Sequence, residues 1–293
     1  MTLTGVAASR PPHATTTLAL DIGGTGLKGA VLDEAGVIRG DRVRVATPRP
    51  ADPDSLVAAL CALVAPLLPV DRGSVGFPGM VRAGRVLSAP NLVRPLGRPG
   101  IADPDAVAAW SGFPLAEVLA AEFDAPTHVV NDASMQGAAV IAGTGLELVA
   151  TLGTGFGTAL FYNGKLTPHL EIAHHPLHDG ETYDQYLGDA ARERVGTDAW
   201  NQRVARAVQT LDDLTRFDHL HLGGGNSRHV TLELGPRVSL VDNVAGILGG
   251  IAWGDATRSD ATRSARHHRT TPPRRIDAGL DPLGRARAVR RYR

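Results

Sequence analysis

Aromatic residues make up only 4% of this 293-residue chain, so its core has to be aliphatic, built mostly from Ala, Val and Leu. There is one cysteine, Cys61, which excludes an internal disulfide and any multi-cysteine zinc cluster. Cys61 sits in SLVAALCALVAPLL, where a small buried helix residue is a more ordinary role than a nucleophile. A reduced, cytoplasmic setting is expected. No apolar run approaches the roughly 18 residues of a membrane-crossing helix, so no membrane partner is expected. The opening MTLTGVAASRPPHATTT lacks the charged-then-apolar layout of a signal segment, and a disordered leader is expected over 1–15. Lysine is almost missing, with only Lys28 and Lys165. Formal net charge is zero, but 11 Arg and 4 Asp between Gly254 and Arg293 leave −7 on the rest. That acidic body argues against a broad nucleic-acid surface. The Arg-rich stretch 254–293 opens with the repeat DATRSDATRS, has almost no apolar periodicity and reads as a disordered, solvated extension. Only through that stretch is a polyanion such as a nucleic acid a conceivable partner.

What is present is 43% hydrophobic, enough for a substantial core, over a length that suits one large domain or two of about 150 residues. LALDIGGTGLKGAVLD reads as strand, glycine-rich turn, strand, with a further strand in VIRGDRVRV after the turn Asp33–Gly36. DPDSLVAALCALVAPLL is a helix with Asp52 or Asp54 as N-cap. GSVGFPGMV is a buried strand, PLAEVLAAEFD an amphipathic helix, THVVND a strand, and ASMQGAAVIAG a small-residue helix. LELVATLGTGFGTALFYNGKL then repeats the opening layout. Helices follow from Tyr183 to Asp213, then the strand FDHLHL before Gly223-Gly224-Gly225, and SLVDNVAGILGGIAWG is expected to be a closing helix. The duplicated plan predicts two α/β lobes, 16–130 and 131–253, with the last helix able to pack back on the first lobe.

Each glycine-tipped hairpin has two readings. Gly23, Gly24 and Gly26 could supply positive φ to a tight turn. Alternatively the tip is a phosphate cradle, where backbone N–H groups need an approach free of side chains. A second such tip facing the same cleft strengthens the cradle, since two could grip a chain of phosphates from both sides. Thr25 and Thr154 at the tips could donate to phosphate, and are equally at home in turns. Asp132 follows an apolar strand, the place where α/β folds put ligands, and could alternatively cap the next helix. Asp21 beside a glycine loop suits a hard cation that keeps most of its waters, or is a turn aspartate. Lys28 could neutralise phosphate or be a solvated strand residue. Glu171 and His174, three apart, could face one pocket; His175 and His178 crowd the same region as a solvated loop or, less commonly, a metal site.

DIGGTGLKGAV and TLGTGFGTAL resemble the two phosphate motifs of the sugar kinase, actin and heat-shock ATPase superfamily, and HLHLGGGNS resembles its adenosine motif. Within it, GFPGMVRAGRVLSAPNL and VVNDASMQGAA resemble the sugar loop and catalytic segment of the ROK family, and especially its polyphosphate-using glucokinases. The resemblance runs from about Leu18 to Trp253. It implies an α/β fold of two RNase H-like lobes, of actin and hexokinase type, around a central cleft. It implies a hexose kinase, most simply for glucose, using ATP, polyphosphate or both with Mg²⁺, and often a homodimer. Asp132 would be the general base, and Asp21 would organise Mg²⁺ through water. Gly23, Gly24, Thr25, Lys28, Gly153, Thr154 and Gly155 would hold donor phosphates, and Gly223, Gly224 and Gly225 would flank the adenine. Asn91, Asn131, Glu171 and His174 would bond sugar hydroxyls. The chain departs from the family pattern at Ala173, where glycine is common, at Ser134, and in lacking the cysteine-rich zinc motif. A sugar sensor and an actin-like ATPase are the competing classes.

Overall fold

The computed structural model describes residues 14–93 and 102–241. The chain divides into two compact units, Met1–Ala256 and Thr257–Arg293, and every described residue belongs to the first. Nearly all of the leader, and the whole Arg-rich stretch, lie outside the described residues.

The first lobe begins with β1 (Thr17–Ile22), β2 (Gly26–Leu32) and β3 (Ile38–Ala46), an antiparallel meander. β1 is buried along its length except at Asp21, as expected of a central strand, whereas β3 is largely exposed and forms the sheet edge. Helix α1 (Pro53–Val64) starts at Asp52, whose carboxylate accepts from the Ser55 N–H at 2.9 Å, so of the two candidate caps it is Asp52 that serves. β4 (Arg72–Phe77) returns parallel to β1. The hairpin β5 (Met80–Arg82) and β6 (Arg85–Ser88), then α2 (Pro104–Trp110) and α3 (Leu115–Phe123), lead to β7 (Thr127–Asn131), parallel to β4. Leu18, Leu20, Val75 and Phe77 on one sheet face pack against Leu56, Leu60, Trp110 and Leu119 to make the first core.

Helix α4 (Asp132–Ala138) follows β7 without a break. The second lobe then repeats the plan: β8 (Leu146–Leu152), β9 (Phe156–Tyr162) and β10 (Lys165–Leu166) form the meander. A short hairpin, β11 (Pro176–His178) with β12 (Glu181–Thr182), precedes α5 (Tyr183–Leu187), α6 (Asp189–Val195) and α7 (Thr197–Thr215). β13 (His219–Gly223) runs parallel to β8, and β14 (Val238–Leu240) parallel to β13. The strand orders are β3-β2-β1-β4-β7 and β10-β9-β8-β13-β14, one topology used twice. Trp200 of α7 is fully buried in the second core among Leu148, Leu152 and Leu220.

α4 packs against β4 and β7 of one sheet and β8 and β9 of the other. Gly137 makes this possible: a Cβ there would lie 2.6 Å from the Phe161 ring and 3.0 Å from Val149. One expectation is corrected. Ser239 and Leu240 are not the start of a closing helix but part of β14, because β13 offers them a parallel hydrogen-bonding edge. The rest of that expected helix lies outside the described residues.

Candidate active site

The carboxyl ends of β1 and β7, the tips of the β1–β2 and β8–β9 hairpins and the end of β13 converge on one cleft of about 300 Å³. Asp21, Gly23, Gly24, Thr25, Lys28, Asn91, Asn131 and Asp132 line it from one side, and Gly153, Thr154, Gly155, Glu171, His174, Gly224 and Gly225 from the other. Gly223 is not on the lining. It closes β13, where a Cβ would press within 2.9 Å of Val241.

None of Gly23, Gly24, Gly26, Gly153 and Gly155 has positive φ, so turn conformation is not what requires glycine at the two tips. A Cβ on Gly153 would meet nothing within 4 Å; on Gly155 it would strike Asp184 Oδ1 at 2.7 Å, and on Gly23 the Gly26 carbonyl at 2.9 Å. Bare backbone therefore faces the cleft at Gly153, and close packing explains Gly23 and Gly155, while at Gly24 and Gly26 a Cβ would make only ordinary contacts, at 3.6 and 3.5 Å. The glycine that does need the left-handed region is Gly224, at φ +87°, where a Cβ would also collide with the Leu152 backbone. Both tips are braced. The Arg49 guanidinium donates to the Gly24 carbonyl, and Thr47 Oγ1 to the Gly23 carbonyl at 2.6 Å. Asn226 Nδ2 and the Asp189 N–H donate to the Gly153 carbonyl at 3.1 and 3.0 Å.

Asn131, rather than Asp132, caps α4. Its Oδ1 accepts from the N–H groups of Ala133 and Ser134 at 3.0 and 3.3 Å, and its Nδ2 donates to the Gly79 carbonyl at 3.1 Å. Asp132 occupies the first helical position and lines the cleft. Asp132 is half-buried at the cleft wall. Burial first, and the negative charge of Asp21 second, push its pKa up to about 7, against a weaker downward pull from the Ala133 N–H. Asp21 is directly opposite Lys28 in the β1–β2 register, and Lys28 Nζ lies 3.0 Å from Asp21 Oδ2.

On the far side, Glu171 Oε2 lies 3.4 Å from His169 Nε2, and His174 Nδ1 3.5 Å from Asp184 Oδ2. Burial raises the Glu171 pKa, but the His169 hydrogen bond and the charges of His169 and His174 outweigh it, leaving the group below the ordinary glutamate value. His169 Nδ1 and His174 Nε2 are buried without a hydrogen-bond partner among the described residues. Two ring nitrogens in a polar cleft with no internal partner are available for hydroxyl groups of a ligand.

His169 and Asp184 are site residues that sequence reasoning missed. His169 carried only its nearness in sequence to Glu171, since the segment between β10 and β11 that holds both has no regular periodicity. Asp184 carried no signal. Its Oδ1 accepts from the Phe156 N–H at 2.6 Å, across 28 residues of sequence. Cys61 is half-buried on α1, and burial together with Glu122 pushes its thiol up to about 11, which rules out a reactive thiolate at neutral pH.

Two lobes of RNase H-like topology, of actin and hexokinase type, closing on a cleft with a glycine hairpin in each wall define a phosphotransferase architecture. Residues 17–177 match the model of the ROK family. The chain is 30% identical over 270 residues to the polyphosphate glucokinase of Mycobacterium tuberculosis (strain H37Rv), covering 85% of this chain and 96% of that protein. The crystal structure of the inorganic polyphosphate/ATP-glucomannokinase from Arthrobacter sp. strain KM matches with a TM-score of 0.69 at 32% identity, over 83% of this chain and 99% of that one. A ROK family glucokinase from Streptomyces griseus, solved with glucose and AMPPNP, shares the fold with a TM-score of 0.63 at 21% identity, over 81% and 98%. The chain belongs to the ROK family and is a sugar kinase. Among the described residues, no single helix is long and apolar enough to cross a membrane.

Proposed function

We propose that this kinase transfers a phosphoryl group from polyphosphate, ATP or both to the 6-hydroxyl of glucose, with Asp132 as general base. The observation that carries the reading is the convergence, in one cleft, of a carboxylate at the end of β7, two glycine tips and two unpartnered histidine nitrogens. A sugar hydroxyl is a poor nucleophile at neutral pH. Asp132 takes its proton as the hydroxyl oxygen bonds to phosphorus and the bridging P–O bond to the leaving phosphate breaks. A base with a pKa near 7 is matched to that task.

Backbone N–H groups of Gly24, Thr25, Thr154 and Gly155 hold the donor phosphates, Gly23 and Gly153 shape the tips by donating to the Gly26 and Gly155 carbonyls, and Lys28 neutralises part of the phosphate charge. Gly224 and Gly225, above Gly223, flank the adenine of a nucleotide donor. Asn91, Glu171 and His174 bond sugar hydroxyls, joined by His169. Asn131 contributes the second N–H of its Nδ2, since Oδ1 is committed to the helix cap. The residues fit Mg²⁺ held through water: Asp21 and Asp132 leave a negative field in the cleft, against which Lys28 Nζ on Asp21 Oδ2 is the one cationic side chain in direct contact among the described residues. When bound with the donor, the ion supplies charge neutralisation at the transferring group. Lobes of 16–130 and 131–253, swinging together, exclude the water that would compete as acceptor.

The test is phosphorylation of a hexose panel with ATP and with polyphosphate, each with and without Mg²⁺, beside Asp132→Asn. Glucose turnover that falls about 10²–10⁴-fold in the variant supports the reading. Glucose binding by calorimetry without turnover on any donor overturns it in favour of a sugar sensor.

A further inference from the structure

We propose that the edge strand β3 carries the distal phosphates of a polyphosphate donor on Arg44 and Arg42. This track is separate from the one a nucleoside takes past Gly224 and Gly225, and the inference rests on the kinase reading of the cleft.

The register places a row of side chains across three strands: Asp21 opposite Lys28, and Lys28 opposite Arg44. Directly opposed residues in antiparallel strands point to the same sheet face. The row therefore runs from the cleft floor to the open edge in two strand spacings, about 10 Å. Lys28 lines the cleft, and Arg44 stands one strand further out. The Arg44 guanidinium lies over Gly26, where a Cβ would be 3.5 Å from Nε and 3.6 Å from Nη2. Gly26 closes the same tip that presents Gly23, Gly24 and Thr25 to the cleft.

The charges in this row are not matched internally. Lys28 is paired with Asp21, but Arg44 and Arg42 are exposed and make no ion pair among the described residues. Arg49, which braces Gly24 from behind, adds a fourth cation at the same tip. Acidic groups near the row include Asp21, engaged with Lys28 and coupled to Asp132 in the cleft, and Asp41, next to Arg42 in the chain. On a body that carries −7 outside the Arg-rich stretch, this is a local concentration of positive charge beside a phosphate loop. Guanidinium groups bind phosphate oxygens in a forked, two-bond geometry. A triphosphate whose nucleoside sits against Gly224, on the opposite wall, has no further phosphate to offer Arg44. A longer chain does.

Full-length protein, Arg44→Ser and the double variant Arg42→Ser/Arg44→Ser would be compared for KM with long-chain polyphosphate, tripolyphosphate and ATP. Calorimetric titration with long-chain polyphosphate, and with a single-stranded oligonucleotide, runs alongside. The expected result is an increase of about ten-fold in KM for the long chain, with a shift below about two-fold for ATP and tripolyphosphate, a shallower salt dependence, and partial recovery in Arg44→Lys, which keeps the charge but not the fork. Unchanged selectivity among the three donors overturns the proposal. Equal, Arg44-dependent binding of the oligonucleotide also overturns it, since the strip is then a general polyanion surface. If no donor supports turnover, the kinase reading fails, and the calorimetry alone still decides: polyphosphate binding lost in the double variant supports the strip, and binding unaffected by it does not.

Discussion

Asn131 caps the helix that Asp132 begins: Asn131 Oδ1 accepts from the N–H groups of Ala133 and Ser134, while Asp132 lines the cleft and shares only the Ala133 N–H, at 2.8 Å. Two adjacent polar residues at a strand end are thereby separated into a structural and a chemical role.

Asn131→Ala removes the cap and leaves the Gly79 carbonyl without its donor. A loss of about 1–2 kcal/mol in unfolding free energy is expected by denaturant titration. Asn131→Asp keeps an acceptor for the cap but sets a carboxylate against the Gly79 carbonyl, so it recovers only part of that loss.

Turnover depends on pH through Asp132. The base acts only when ionised, so kcat/KM rises with pH about ten-fold per unit below 7 and levels off above it. Asp21→Asn removes the neighbouring negative charge that raises this pKa, so the midpoint of the rise moves to lower pH even as the maximal rate falls. A profile in the Asp21 variant that moves to higher pH contradicts the assignment.

Stability responds to the same group with the opposite sense. Below about pH 4 the carboxyl is protonated whether the chain is folded or unfolded. As pH rises toward 7 the unfolded chain releases the proton while the folded one retains it, and stability is lost. Asp132→Asn abolishes that loss. Without ligands or divalent cations, the variant is expected to be more stable than the parent at pH 8, by of order 2–4 kcal/mol, and nearly equal to it at pH 4.

Asp184 ties the second glycine tip to His174. Its Oδ1 accepts from the Phe156 N–H, and its Oδ2 faces His174 Nδ1 at 3.5 Å. Asp184→Ala is expected to raise the donor KM by about ten-fold or more, the effect of losing a hydrogen bond to a charged group. Asp184→Asn, which keeps an acceptor, recovers part of it. Steady-state kinetics with the donor varied at saturating glucose is the check.

The glycine-tipped hairpins, the helices and the aspartate after THVVN were legible in the sequence because each is a local pattern. Strand alternation, turn glycines and N-caps act within a few residues. The duplication of the plan was legible for the same reason, and it led directly to two lobes. Several features depended on contacts between distant segments. The last described strand, β14, exists because β13 offers an edge, and Ser239 and Leu240 have no periodicity that says so. The reason for glycine at the tips turned out to be bare backbone and close packing, with positive φ reserved for Gly224. His169 faces the cleft through the path of an irregular loop, and Asp184 reaches the Phe156 N–H from 28 residues away. The row Asp21, Lys28, Arg44 is created by strand register, which sequence spacing does not encode when a bulge intervenes, as it does between β2 and β3. By itself, then, the sequence determined the local elements: the two glycine-tipped hairpins and the strand that ends just before Asp132. Tertiary structure alone decided which of them meet, because burial, charge coupling and hydrogen bonding between segments are properties of distance in space.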